Sequence, residues 1–235
     1  MSFRTNKTTL LLRNMGRQLG VNQLIMKVAG SKSYEDKFNE ARLSCVKTND
    51  CVWDAGANIG YYTKQFANIV GLDGKVVAFE PSPQNFNKLS FNLDGVKNVS
   101  LLPYGLGAKD DKVPFKQGDD ELGATSQVLD PKEYGEGNFA QVEIRCADNL
   151  VQSGLVSIPN MIKIDVEGFE LEVLDGMRQI LNRDELRALA IEVHFGLLAK
   201  RGMAHAPQRI ESLLRETGFS CSWPDNSHIL ATRQR

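Results

Sequence analysis

Val52-Trp53-Asp54-Ala55-Gly56-Ala57-Asn58-Ile59-Gly60 is the stretch that decides the architecture. The apolar run Cys51-Val52-Trp53 stops at an acid and a glycine turn, and Tyr62, Phe66, Ile69 and Val70 then recur at helical spacing as far as Gly71. That is strand, turn, helix. Immediately downstream, Asp73-Gly74 turns the chain into Lys75-Val76-Val77-Ala78-Phe79-Glu80, a strand closed by Pro81. Ser82 stands as an N-cap with Pro83 at the first helical position; Phe86, Leu89, Ser90 and Leu93 make the buried stripe, and Gly95 ends the helix.

Working outward, Val99–Tyr104, Met161–Val166 and Leu189–His194 read as further strands, each as brief and apolar as strands buried on both faces are. Helical stripes at Phe169, Val173, Met177 and Ile180, and at Ile210, Leu213 and Leu214, separate or follow them. The βαβα rhythm predicts an α/β domain: an open parallel sheet, helices on both faces, and a ligand crevice at the C-terminal strand ends. Phe219–Trp223 and His228–Thr232, joined by a Pro-Asp-Asn-Ser turn, predict an antiparallel hairpin on the sheet edge. Residues 105–160 break the rhythm, with one strand-like piece at Gln141–Arg145, and we expect this irregular insertion to carry part of the substrate recognition. Toward the N-terminus, Leu11, Met15 and Leu19, then Leu24, Ile25 and Val28, predict two short helices. The chain therefore divides into an N-terminal helical extension, residues 1–44, and a main domain, residues 45–235.

Composition excludes several function classes. The 235 residues are 42% hydrophobic and 24% charged, ordinary proportions for one large globular domain. With 28 basic against 29 acidic residues there is no global field to attract phosphate backbones, which argues against a nucleic-acid partner. Charge is nonetheless uneven: the first 34 residues hold Arg4, Lys7, Arg13, Arg17, Lys27 and Lys32 and no acid. That segment could cover an acceptor crevice, form a homodimer contact or touch an anionic surface, with simple docking onto the domain as the plainest role. No run approaches the roughly 18 apolar residues of a membrane span, and Thr8–Leu12 is too short for a signal-peptide core, so the chain reads as cytoplasmic and without integral membrane association. Cys45, Cys51, Cys146 and Cys221 are scattered and support neither disulfides nor a zinc site.

The turn after the first strand carries the chemistry. Glycines there let backbone approach a ligand, and an acid at the next strand end, Glu80, can accept both hydroxyls of a ribose. A dinucleotide fingerprint would need glycines at 54 and 59, where this chain has Asp54 and Ile59. An acid at 54 suits a ligand bearing an ammonium group, such as the methionine moiety of S-adenosylmethionine.

Four motifs make the chain resemble the FkbM-type S-adenosylmethionine-dependent methyltransferases: Val52–Gly60, Val77–Pro83, Ile162-Lys163-Ile164-Asp165-Val166-Glu167-Gly168-Phe169-Glu170, and Ile191-Glu192-Val193-His194. The similarity spans about residues 45–232 and rests most on the last two motifs. It implies a Rossmann-like class I methyltransferase fold with a mostly parallel seven-stranded sheet, and transfer of a methyl group to a hydroxyl on a sugar or other small metabolite. It further implies a cofactor site of Asp54, Gly56, Asn58, Gly60, Glu80, Pro81, Tyr104 and Gly105, in which Asp54 and Gly56 lie against the methionine part, Glu80 holds the ribose, and the segment around Tyr104–Gly107 flanks the adenine. Cys146-Ala147-Asp148 stands where the family commonly has Thr-Leu-Asp, a local departure.

Lys163, Asp165 and Glu167 end the fourth strand at the expected crevice, where alternation would keep all three on one side. Asp165 or Glu167 could orient the acceptor hydroxyl or take its proton, Asp165 also lying beside the cofactor; a Lys163–carboxylate pair that only solves its own burial is the competing reading. His194, ending the fifth strand, has the ordinary titration range of a general base and is the slight favourite for that role. His205 and His228 lack such placement. Two hard oxygen ligands without a third partner do not make a metal site, and none is assigned. A non-catalytic S-adenosylmethionine-binding or assembly protein remains the alternative function.

Overall fold

The computed structural model describes residues 34–116, 127–128 and 140–233, so the two helices expected over residues 8–29 lie outside the described residues. In chain order the elements are α1 (Tyr34–Ser44), β1 (Cys51–Ala55), α2 (Tyr61–Val70), β2 (Lys75–Phe79), α3 (Pro83–Asn92), β3 (Val99–Leu102), β4 (Tyr104–Gly107), β5 (Asp111–Lys116) and β6 (Gln127–Val128). There follow β7 (Ala140–Cys146), α4 (Ala147–Gln152), β8 (Met161–Ile164), α5 (Glu170–Asp175), β9 (Ala188–Glu192), α6 (Phe195–Lys200), α7 (Ala206–Glu216), β10 (Ser220–Ser222) and β11 (His228–Thr232).

The seven-stranded sheet runs β10-β11-β9-β8-β1-β2-β3. All neighbours from β9 to β3 are parallel, and only β11, wedged between β9 and β10, runs the other way. Alternation between two buried faces explains why these strands are mostly apolar, with Asp54 and Lys163 as buried charged exceptions. Trp53, Val77, Phe79, Ile162 and Ile191 feed one core, under α5 and α7. Val52, Val76 and Met161 feed the other, with Phe66 of α2. The expected hairpin and the expected cap are both present: Ser82 Oγ accepts from the Asn85 N–H at the start of α3.

Three expectations change. The strand read as Val99–Tyr104 is two strands: Pro103, with no N–H to donate and φ fixed, separates β3 from β4, and β4 joins a second sheet of order β4-β7-β5-β6. The insertion is thus ordered in its described part, because Phe115, Val142 and Ile144 alternate inward and bury one another. The helix expected from Phe169 to Ile180 is only α5. It stops at Gly176, where a Cβ would fall 2.0 Å from the Gly107 carbonyl oxygen, and Asp148 accepts the N–H groups of Gln179 and Ile180 to start a separate 3-10 turn. Finally, α1, assigned to the extension, packs into the body: Phe38 is buried beside Val52 and Phe66 and stacks on His228 at 3.9 Å. No helix among the described residues is long and apolar enough to cross a membrane.

Candidate active site

The C-terminal ends of β1, β2, β8 and β9 meet at one edge of the sheet. Beyond β1 the backbone needs left-handed conformations at Gly56 (φ 78°), Asn58 (φ 50°) and Gly60 (φ 90°). A Cβ on Gly56 would lie 1.8 Å from the Asp165 carbonyl oxygen, so this glycine lets the ends of β1 and β8 touch. The Gly56 and Ala57 N–H groups donate to the Phe79 carbonyl, which brings the turn across the end of β2. There Glu80, 5% exposed, takes one backbone N–H on each carboxylate oxygen, from Asn58 at 2.8 Å and from Ser82 at 2.9 Å. Both oxygens keep further acceptor capacity. Burial outweighs these bonds and pushes the Glu80 pKa up to about 7. Asn58 adds a buried side-chain oxygen with no hydrogen-bond partner. Tyr104 lies at the start of β4 with Arg145 over its ring, and Gly105 approaches Pro81.

Asp54, expected to lie against the methionine part of the cofactor, is braced from within the protein. Parallel register sets it beside Lys163 on β8, and its two oxygens are taken by Lys163 Nζ at 3.0 Å and Thr63 Oγ1 at 2.6 Å. It is fully buried, and each of its oxygens accepts one hydrogen bond from within the protein. Lys163 also donates to the Gly56 carbonyl at 2.8 Å and stands 3.6 Å from Asp165. Burial works against the lysine's charge, but Asp54 and Asp165 prevail and hold its pKa above the usual value. The pairing that solves a burial problem is therefore real, with Asp54 as the principal partner.

β8 ends at Ile164, so strand alternation does not carry Lys163, Asp165 and Glu167 to one side. Lys163 turns inward, while Glu167 sits in a left-handed turn (φ 50°) whose next carbonyl, at Gly168, is gripped by Arg201. That turn delivers Asp165 and Glu167 to His194, which lies two residues past β9. His194 Nε2 is 3.2 Å from Glu167 and 3.7 Å from Asp165, and Nδ1 is 2.6 Å from the fully buried Glu170. Burial works to strip the ring of its proton, yet Glu167 and Glu170 overcome this and hold its pKa well above the ordinary histidine value. His194 is thus no unperturbed base. Burial and the neighbouring Glu192 raise the Asp165 pKa against the pull of Lys163.

Residues 54–221 match the methyltransferase FkbM domain. The chain belongs to the FkbM methyltransferase family. It is 33% identical over 173 residues to the hexuronic acid methyltransferase AglP of Haloferax volcanii, a match covering 73% of this chain and 64% of that protein. The methyltransferase sdnD of Sordaria araneosa is 25% identical, with 90% of this chain and 92% of that one covered. The crystal structure of the FkbM methyltransferase from Methylobacillus flagellatus superposes with TM-score 0.51 at 18% identity, over 78% of this chain and 43% of that one. A putative rRNA methylase from Clostridium thermocellum gives TM-score 0.54 at 11% identity, over 87% and 98%. The two structures establish the Rossmann-like fold.

Several neighbours of the site escape a reading of the sequence. Glu170 is visible there only as part of a motif, yet it orients His194. Thr63 completes the shell of Asp54. His228 is cross-strand partner to Glu192, 3.5 Å away, and bonds Asp225 at 2.7 Å; burial opposes its charge, but these acids raise its pKa to about 9. That pair is set by the register of β11 against β9, not by the expected β10–β11 hairpin. His205, which lacked a strand-end placement, is exposed.

Proposed function

We propose that this chain transfers the methyl group of S-adenosylmethionine to a hydroxyl oxygen of a small acceptor, a saccharide by analogy with the hexuronic acid methyltransferase relative. The observation that carries this is the joining, at one sheet edge, of the Gly56–Gly60 turn and Glu80 to a second cluster of Asp165, Glu167 and His194. Glu80 would hold the ribose diol, and the buried Asn58 oxygen and the glycine backbone would line the methionine side. Tyr104 and Gly105, the latter close to Pro81, would line the adenine side. Asp54 would act behind the turn, fixing it through Lys163, which donates to the Gly56 carbonyl.

When bound, the cofactor supplies an electrophilic sulfonium methyl whose S–C bond breaks as the O–C bond forms, the electron pair staying on sulfur. The protein's part is alignment, exclusion of water and proton removal. Both ring nitrogens of His194 face carboxylates, so the acceptor proton passes to an oxygen of Asp165 or Glu167. The net charge of −1 supports a small acceptor over a nucleic acid, and the four free thiols support a cytoplasmic setting.

The test is incubation of the purified chain with methyl-labelled S-adenosylmethionine and uronic-acid-containing saccharides, with mass identification of labelled product. Labelled O-methyl saccharide, lost in Asp165→Asn or Glu167→Gln while S-adenosylhomocysteine still binds, is the expected result. Binding without turnover on any hydroxyl acceptor would favour a non-catalytic binder instead.

A further inference from the structure

Asp165, Glu167 and His194 each present one donor atom, all within 4.8 Å of one another. We propose that these three side chains bind a divalent metal cation, with Glu170 as the positioning residue behind the histidine. Ligand atoms held about 2.1 Å from an ion stand about 3.0 Å apart on an octahedral edge and about 3.4 Å on a tetrahedral one. The 3.2 Å separation from His194 Nε2 to Glu167 falls between these values and the 3.7 Å to Asp165 lies just beyond them, so a closing movement of Asp165 completes a face of the coordination sphere.

Two independent features support a cation. The first is the arrangement behind His194: Glu170 Oε1 accepts from Nδ1 at 2.6 Å and from the Gly168 N–H at 2.9 Å, which locks the ring and leaves Nε2 aimed between the other two carboxylates. A buried carboxylate on the far nitrogen is how metal-ligating histidines are held. The second is charge. Asp165, Glu167, Glu170 and Glu192 all stand within 3.8 Å of this one ring, while the nearest ammonium group, Lys163, spends its closest contact on Asp54. With Asp54 and Asp225 included, six acids share three cations, Lys163, His194 and His228, the last 3.5 Å from Glu192.

The side chains of Asp165 and Glu167 are 27% and 33% exposed, so the site opens on the crevice and leaves coordination positions for a ligand. The mixed nitrogen and oxygen donor set suits Mn2+, Zn2+ or Fe2+ better than Ca2+. On the methyl-transfer reading, from which the binding claim is separable, an acceptor hydroxyl would occupy an open position and its oxygen would be held as negative charge develops.

The experiment titrates chelator-treated full-length chain with Mn2+, followed by electron paramagnetic resonance, without cofactor or acceptor. Expected is one bound ion per chain with nitrogen modulation from one imidazole, displaced by Zn2+. His194→Ala should abolish the modulation, Glu167→Gln should weaken binding severalfold in a folded protein, and Glu170→Gln should weaken it about 10- to 100-fold. Absence of bound Mn2+, or unchanged binding and modulation in His194→Ala, overturns the proposal. S-adenosylhomocysteine binding is measured alongside: bound metal without cofactor binding would sink the methyl-transfer reading alone, and cofactor binding without metal would sink only this one.

Discussion

Glu80→Gln tests the cofactor side most directly. Its carboxylate sits at 5% exposure with a pKa of about 7, two backbone N–H groups already on it. A ribose diol donates to the ionised form, so tight binding requires the proton to be off. At pH 8 roughly nine-tenths of the sites are ionised, at pH 6 roughly one-tenth, which makes S-adenosylhomocysteine bind about tenfold more weakly at pH 6 than at pH 8. Glutamine keeps the shape but not the charge, and its amide group must face one of the two backbone donors. The lost charge-assisted bonds cost about 1.5–3 kcal/mol, or roughly 10- to 150-fold in affinity at pH 8. Calorimetry at pH 6, 7 and 8 on both proteins measures this, the gap narrowing about tenfold at the acid end. Equal affinities at pH 8, or a wild-type affinity flat across the range, would refute the assignment of Glu80 to the diol.

Three further outcomes bear on the frame of the site. Lys163→Met leaves Asp54 buried without its cation and should cost about 3–5 kcal/mol in denaturant unfolding, most of it recovered in the Asp54→Leu/Lys163→Met double variant; a loss below about 1 kcal/mol would show the pair to be unimportant. His228 has a folded pKa of about 9 against an ordinary 6.5, so its contribution is complete below pH 6.5 and disappears as pH rises through 9. Wild type should therefore lose up to about 3 kcal/mol over that window relative to His228→Gln, and parallel stability curves would contradict this. Gly56 and Gly95 both have positive φ, but only at Gly56 would an added methyl group meet a carbonyl oxygen, 1.8 Å away. Gly95→Ala should cost about 1–2 kcal/mol, while Gly56→Ala should in addition abolish cofactor binding; similar behaviour of the two, by thermal unfolding and calorimetry, would be the contrary result.

What could be read from the sequence is what is local. Cys51–Gly60 and Lys75–Glu80 announce themselves because a strand buried on both faces is a short, mostly apolar run, and Ser82-Pro83 because an N-cap is a matter of adjacent residues. Pro103 is a visible breaker, masked by the apolar run around it. The second sheet is harder, since Val113, Phe115, Val142 and Ile144 alternate weakly and bury one another only after pairing across a long separation. The site behaves likewise. Convergence of Asp165, Glu167 and His194 follows from strand ends, but the partners that set their chemistry, Glu170 on His194 and Lys163 on Asp54, come from register and from a left-handed turn at Glu167 that no propensity announces.

The position of β11 bears on how the polypeptide is made. Although it follows β10 in sequence, β11 lies inside the sheet, paired with β9 on one side and β10 on the other. During synthesis the edge of β9 stays unpaired, with its N–H and C=O groups open to other chains, until residue 232 has cleared the ribosome. Residues 228–232 then also deliver His228 to Glu192 and Phe38. A nascent chain stalled before that point would hold an assembled cofactor turn beside an adhesive sheet edge, a species suited to capture by a chaperone.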